Sequence, residues 1–365
     1  MTRPVLIMAG GTGGHVFPAL ALARLLRASS REVVWLGTRR GLEARVVPEE
    51  GFPIEWLSVT GLRGKNVLTL LTAPFRLVRA LFQAIAIVRR HRPSVVVGLG
   101  GFVSGPGGLA AWLCRRPLVI HEQNAIAGLT NRILAPLARE VLCGFPSAFP
   151  ATAHARVIGN PVRADIAALP APQQRLAARQ GPLRLLVIGG SLGAARLNAV
   201  VPQALAQLRG GDHADALQVT VRHQAGPKHL ESARYAYRRA GATADITAFI
   251  DDMAEALGWA DLAICRAGAL TIAELAAAGL GSILVPYPFA VDDHQTHNAQ
   301  FLVDAGAARC ITDAHLTSRH LAAQLRELCA NRETLLSMAQ AARAVAHPDA
   351  AAQLLHSCLA VELTA

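Results

Sequence analysis

Aromatic residues make up only 5% of the chain, and no cluster of them interleaves with lysines. Nucleic-acid binding by base stacking is therefore disfavoured. The six cysteines (Cys114, Cys143, Cys265, Cys310, Cys329 and Cys358) include no CxxC pair. They read as small core residues in a reducing compartment, not as a disulfide frame or a zinc site. A dinucleotide fingerprint is missing: in the first glycine run, Gly10 to His15, Val16 stands where the third glycine would be. No GK[ST] follows that run, so it is not a P-loop either. There is no DxD motif. Asp251–Asp252 and Asp292–Asp293 are adjacent pairs that read as capping and loop residues. No signal peptide is expected, because the apolar run Val5 to Ala9 is short and leads straight into glycines. The long apolar segment from Val67 to Val88 tempts a transmembrane reading, but Pro74, Arg76 and Arg79 interrupt it.

What is present points to buried globular units. Hydrophobic residues reach 52% and charged ones only 17%, and 365 residues exceed one typical core. The net charge is +11, carried mainly by arginine, which favours anionic partners such as phosphates or acidic lipid surfaces. Strand-like runs alternate with helical segments, which predicts a doubly wound parallel sheet. The pattern then restarts after a Pro-, Ala- and Gln-rich stretch, Leu169 to Pro182, that reads as a linker. Two openings, LIMAGGTGGH and LVIGGSLGAA, use the same strand–glycine–helix device. The reading is therefore two Rossmann-like domains, 1–162 and 163–340, followed by a C-terminal helix over 341–365.

Polar chemistry gathers just past predicted strand ends, where open α/β sheets place ligands. GGTGGH can present backbone N–H groups at a helix N-terminus, and His15 can titrate near neutral pH. HEQN (His121 to Asn124) follows a hydrophobic strand, and loop-building is its bland reading. In GGSLGA, Ser191 suits either a helix cap or a phosphate ligand. GNPVR (Gly159 to Arg163) reads as a hinge with an arginine that could seek phosphate. The densest stretch is Cys265 to Ala299: a turn at Arg266, a helix from Thr271 to Ala278 ending at Gly279, and a second strand from Ser282. Glu274 on that helix has a dipole-stabilised reading and a functional one, acceptance from a ribose diol.

GGTGGHVFPAL, GGFVSGP, HEQNAIAGLTN, GNPVR, GGSLGA, FIDDM, CRAGALTIAEL and DDHQTHNA occur here in one order. In that order they resemble the MurG family of bacterial N-acetylglucosaminyltransferases over nearly the whole chain. The resemblance implies a GT-B fold, two Rossmann-like domains facing across a cleft, with the C-terminal helix returning to the first domain. It implies an inverting, metal-independent transfer of N-acetylglucosamine from UDP-N-acetylglucosamine to undecaprenyl-pyrophosphoryl-MurNAc-pentapeptide (lipid I), without a cofactor. By motif, Phe249 and Ile250 would meet uracil and Glu274 the ribose. Ser191 and Arg163 would meet the diphosphate. Arg266, Ala269, Leu270, Thr271, Ile272, Ala273 and Gln295 would complete the donor site, and Asn124 would reach it from the first domain. Thr12, Gly13, Gly14 and His15 would line the acceptor side. His294 precedes Gln295 where some relatives carry two glutamines. His15 is the expected general base, with Glu122 the next candidate. The expected location is the cytoplasmic face of the bacterial inner membrane, held peripherally on an anionic surface. The segment from Leu62 to Arg92 would make that contact. There Pro74 opens a helix, Leu77, Leu81, Ala84 and Val88 face the sheet, and Phe75, Arg79 and Phe82 face lipid. A sugar-nucleotide epimerase, a dinucleotide-dependent oxidoreductase and a non-catalytic nucleotide-binding regulator are the competing functions.

Overall fold

A computed structural model describes residues 3–59, 67–190, 193–209 and 218–363. The chain forms two compact units, Met1–Val162 with Pro348–Ala365, and Arg163–His347. The first holds a fully parallel sheet of β1 (Val5–Met8), β2 (Val33–Gly37), β3 (Ile54–Trp56), β4 (Val95–Gly98), β5 (Leu118–Glu122), β6 (Glu140–Cys143) and β7 (Arg156–Val157). Its order is β3-β2-β1-β4-β5-β6-β7. β1 and β4 are solidly buried, as their runs of Val, Leu and Ile require when helices cover both faces. One face packs on the helix Gly13–Ala28, through Val16, Leu20 and Leu26. The C-terminal helix Ala350–Leu363 joins the same core through Leu354, Cys358 and Val361. Glu362 pairs with Arg31 at 3.0 Å, and Arg156 donates to Ser357, fastening that helix at its middle and near its C-terminal end.

The second unit repeats the plan with β8 (Leu183–Ile188), β9 (Val219–Gln224), β10 (Asp245–Thr247), β11 (Leu262–Cys265), β12 (Ser282–Leu284) and β13 (Ala308–Cys310). All pairs are parallel, in the order β10-β9-β8-β11-β12-β13. In both sheets the chain begins in the middle and reverses direction, between β1 and β4 in one and between β8 and β11 in the other. These switch points open a crevice at the strands' carboxyl ends.

Four expectations need correction. Residues 169–182 are not a linker but part of the second unit. Arg175 donates to the Gly279 carbonyl at 2.8 Å, and Arg179 to Trp259 O at 2.8 Å and Asp261 Oδ1 at 2.7 Å. Helix ends leave carbonyls without partners, and these two arginines supply them. The helix Arg332–Ala344 belongs to the second unit, so the returning segment starts at Pro348 instead of 341. Pro74 does not open its helix: the helix runs Val67–His91 with Pro74 inside it. On that helix the buried stripe is Ala80, Ala84, Ile87 and Val88, while Leu77 is exposed. The stripe is shifted because the helix packs closely through alanines on the face of the sheet that carries Leu6, Val34 and Val96.

Candidate functional site

In the first unit the glycine loop after β1 is held from beneath. Glu43 is fully buried and accepts from Gly11 N at 2.8 Å, Thr38 N at 2.9 Å and Thr38 Oγ1 at 2.8 Å. A Cβ on Gly10 would fall 2.6 Å from its carboxylate, so the glycine is required by close approach. The loop after β4 closes over the first: a Cβ on Gly101 would sit 2.3 Å from the Gly10 carbonyl, and Gly101 has φ +83°. Thr12 caps the helix Gly13–Ala28 without a side-chain cap bond, so its hydroxyl and the N–H groups of Gly13 and Gly14 stand at an exposed helix start.

His15 lies one residue on, and its Nδ1 is 2.9 Å from Gln123 Oε1. Gln123 is buried, and its Nε2 reaches His121 Nδ1 at 3.1 Å and His121 O at 3.2 Å. His121 Nε2 in turn donates to Gly159 O at 2.9 Å. Burial pushes the His121 imidazole down to about 4, with the Gly159 carbonyl and Glu122 opposing the shift. Glu122 is itself encircled. Its Oε1 accepts from Asn124 N at 2.9 Å and Asn124 Nδ2 at 3.1 Å, and its Oε2 from Gly128 N at 3.0 Å and Asn131 Nδ2 at 2.8 Å. Four donors on a buried carboxylate build the loop 122–131 and occupy both of its oxygens. This geometry gives Glu122 a structural task in the loop.

In the second unit the site centres on the helix Ala269–Ala278. It starts at Gly268 and ends at Gly279 in the left-handed region, φ 60°. The N–H groups of Ala269, Leu270 and Thr271 precede the first intrahelical bond, Ile272 N to Gly268 O. They form a positive end suited to an anion. Ile272 is fully buried on the core side, and Ala273 is half-buried. Glu274 lies in the second turn, too far in for the dipole to explain it. Burial raises its carboxyl, opposed by Arg163, whose Nη2 donates to Glu274 Oε1 at 3.1 Å. Phe249, 54% exposed, and the half-buried Ile250 follow β10 just before the helix Met253–Trp259. Asp252 caps that helix, accepting from Glu255 N at 2.8 Å, as the pair Asp251–Asp252 suggested.

Arg266 and Gln295 tie strand ends together. Arg266 Nη1 donates to Asp313 Oδ1 at 2.7 Å, Val285 O at 3.2 Å and Pro286 O at 3.1 Å. Gln295 Oε1 accepts from Ala267 N at 3.1 Å and Tyr287 N at 2.9 Å. The loops after β11, β12 and β13 are thus one rigid rim. His294 opens the helix His294–Asp304 beside it. Ser191 lies outside the described residues, as do Arg63 and Lys65, the basic residues at the start of the segment expected to meet the membrane. Sequence reasoning missed Glu43, Gln123 as a connector and Asp313. Only Gln123 had a signal, its place inside HEQN.

Two domain models match the chain: the glycosyltransferase family 28 N-terminal domain over residues 5–143 and the family's C-terminal domain over residues 184–354. The chain belongs to glycosyltransferase family 28. Each glycine-loop crevice falls within one of the two family domains. A relative from Alkalilimnicola ehrlichii is 57% identical over 359 residues, 98% of this chain and 99% of the relative. One from Marinobacter nauticus is 55% identical over 98% of this chain and 97% of its own length. Both are named UDP-N-acetylglucosamine–N-acetylmuramyl-(pentapeptide) pyrophosphoryl-undecaprenol N-acetylglucosamine transferase. The crystal structure of Acinetobacter baumannii MurG, 40% identical, superposes with a TM-score of 0.86 and covers 98% of this chain and 99% of its own. The family 28 architecture here is the GT-B fold.

Proposed function

We propose that this chain transfers N-acetylglucosamine from UDP-N-acetylglucosamine to the C4 hydroxyl of the N-acetylmuramoyl unit of undecaprenyl-pyrophosphoryl-MurNAc-pentapeptide, giving lipid II with inversion at the anomeric carbon. The observation that carries this reading is full-length identity of 55–57% to transferases of that name. The adjacent placement of Arg163, Glu274 and a bare helix N-terminus supports it. Uracil would stack on Phe249 beside Ile250, and Glu274 would accept from the ribose hydroxyls. The diphosphate would lie on the N–H groups of Ala269 to Thr271, with Arg163 and Ser191. Gln295 and Leu270 would flank the sugar.

The acceptor oxygen attacks the anomeric carbon as the bond to UDP breaks. The proton of that hydroxyl passes to His15, and the negative charge passes to UDP. The fixed dipole of the helix Ala269–Ala278 and the Arg163 cation meet that charge without reorganisation, where such groups act most strongly. The decisive measurement is UDP release by the purified protein. Release is expected only with both UDP-N-acetylglucosamine and lipid I present; release with either alone overturns the reading. His15→Ala should lower turnover by roughly 10²–10⁴-fold, the usual scale of base catalysis, with UDP affinity nearly unchanged. Near-normal turnover would remove His15 from the mechanism.

The protein would work on the cytoplasmic face of the inner membrane, docked peripherally on anionic lipid. No described helix is long and apolar enough to cross a membrane. The helix Val67–His91 instead presents Phe75 at 80% and Phe82 at 66% exposure beside exposed Arg76 and Arg79. The helix Ser104–Leu113 packs on it and on Leu129–Leu134, and these add exposed Trp112, Leu113, Leu129 and Ile133. Aromatic and aliphatic side chains bordered by arginines fit shallow burial among anionic headgroups.

A further inference from the structure

The chain of contacts from Gly159 to His15 has only one consistent arrangement of protons. The Gly159 carbonyl can only accept, so the hydrogen lies on His121 Nε2. His121 is fully buried, and burial holds it neutral near pH 7, so it has no second N–H and its Nδ1 is a lone pair. Gln123 must therefore turn its NH2 towards His121, where one hydrogen meets Nδ1 and the other the His121 carbonyl. The flipped amide would aim Oε1 at two lone pairs, at 3.1 and 3.2 Å. Gln123 Oε1 is then left facing His15 Nδ1, and it can only accept. The backbone holds the connector in place, since Asn160 Nδ2 donates to Gln123 O at 2.9 Å. Gly159 has φ +80°, a conformation natural to glycine, and so the GNP run supplies both anchors of the chain. Gly100 closes the other side of the ring: a Cβ there would fall 2.5 Å from His15 Nδ1.

We infer that Gln123 and His121 are positioning residues that hold neutral His15 as its Nδ1–H tautomer, so that Nε2 carries the lone pair. The inference rests on the reading of His15 as the base, and it gives that base its competent form before substrate arrives. An imidazole in the other tautomer would present an N–H to the acceptor hydroxyl and could not take its proton. The same task is done in other acid–base sites by a carboxylate behind the histidine. Here a carboxamide does it, and a buried neutral histidine fixes the carboxamide's direction.

Nitrogen-15 NMR of histidine-labelled protein reads the tautomer directly, with the His15 signals identified by their loss in His15→Ala. As the neutral imidazole, parental His15 should show a protonated Nδ1 and an unprotonated Nε2. Gln123→Leu should give a mixture of tautomers, with kcat down about tenfold or more and the KM for UDP-N-acetylglucosamine within about twofold. A parental spectrum with the proton on Nε2 overturns the inference by itself, whether or not the variant folds. So does a Gln123→Leu protein that keeps both the Nδ1–H signature and parental turnover. If His15→Ala remains active while the parental tautomer is Nδ1–H and is lost in Gln123→Leu, the base assignment falls and the proton arrangement stands.

Discussion

Glu274 shows how a single residue changes meaning once its neighbours are known. Beside a helix start it could be an ordinary dipole-favoured acid. In the second turn, with its carboxyl raised by burial and paired to Arg163, it needs another explanation. Removing one partner of a charge-assisted hydrogen bond costs about 1.5–3 kcal/mol. Glu274→Ala should therefore lower kcat/KM for the donor by roughly 10- to 150-fold. The parent should discriminate against a 2′-deoxyribose donor and the mutant should barely do so. Equal discrimination by both proteins removes the ribose contact. Other residues could not be assigned from sequence at all. Glu43 and Asp313 act through partners that chain folding alone brings near, Gly11 for one and Arg266 for the other.

Among the elements, the helix Val67–His91 carries the clearest prediction. Its exposed aromatic edge was legible, because Phe75 and Phe82 fall seven residues apart and so on one side of a helix. Its true start and buried stripe were not, because Pro74 reads as an N-terminal signal while the helix runs on through it. Phe75→Ser with Phe82→Ser should weaken binding to anionic vesicles and slow transfer to full-length lipid acceptor. Transfer to a short-chain soluble acceptor should be unaffected. Parental vesicle binding by the double mutant would show that another surface meets the membrane. β13 was missed for a related reason. It has three residues, and Arg309 and Cys310 are exposed, so no apolar pattern marks it.

At the scale of the whole molecule, each unit keeps a buried neutral histidine. Burial lowers both His121 in the first and His223 in the second to about 4. His223 Nε2 donates to Asn198 Oδ1 at 2.9 Å, and Tyr237 O–H donates to its Nδ1 at 2.9 Å. An unfolded histidine titrates near 6.5, so between pH 6.5 and 4 the unfolded chain binds more protons than the folded one. Stability is therefore full above pH 6.5 and falls as the pH drops through that window, by roughly 3 kcal/mol per histidine at pH 4. Denaturant titrations at pH 7 and pH 4 should show the loss, and His223→Gln should flatten it for the second unit. An unchanged pH slope in that variant would mean that the folded state accommodates the charged imidazole.

The sequence by itself determined the alternation of strands and helices, the two glycine openings and the stop at Gly279. Each depends on neighbours within a few residues: apolar runs that must be buried, and glycines that alone tolerate positive φ or close approach. Its eight ordered motifs carried the family resemblance for the same reason, since loops at strand ends are short and local. Tertiary structure alone decided which polar residues brace the loops. Arg266 and Glu122 look like site chemistry in the sequence, yet their hydrogen bonds go to Asp313 and to Gly128 and Asn131. Gln123 looked like one more loop residue, and packing made it the link between two histidines. Hydrogen-bond capacity is written in the sequence, but its partner is set by distance, and only folding across two switch points brings such groups within 3 Å.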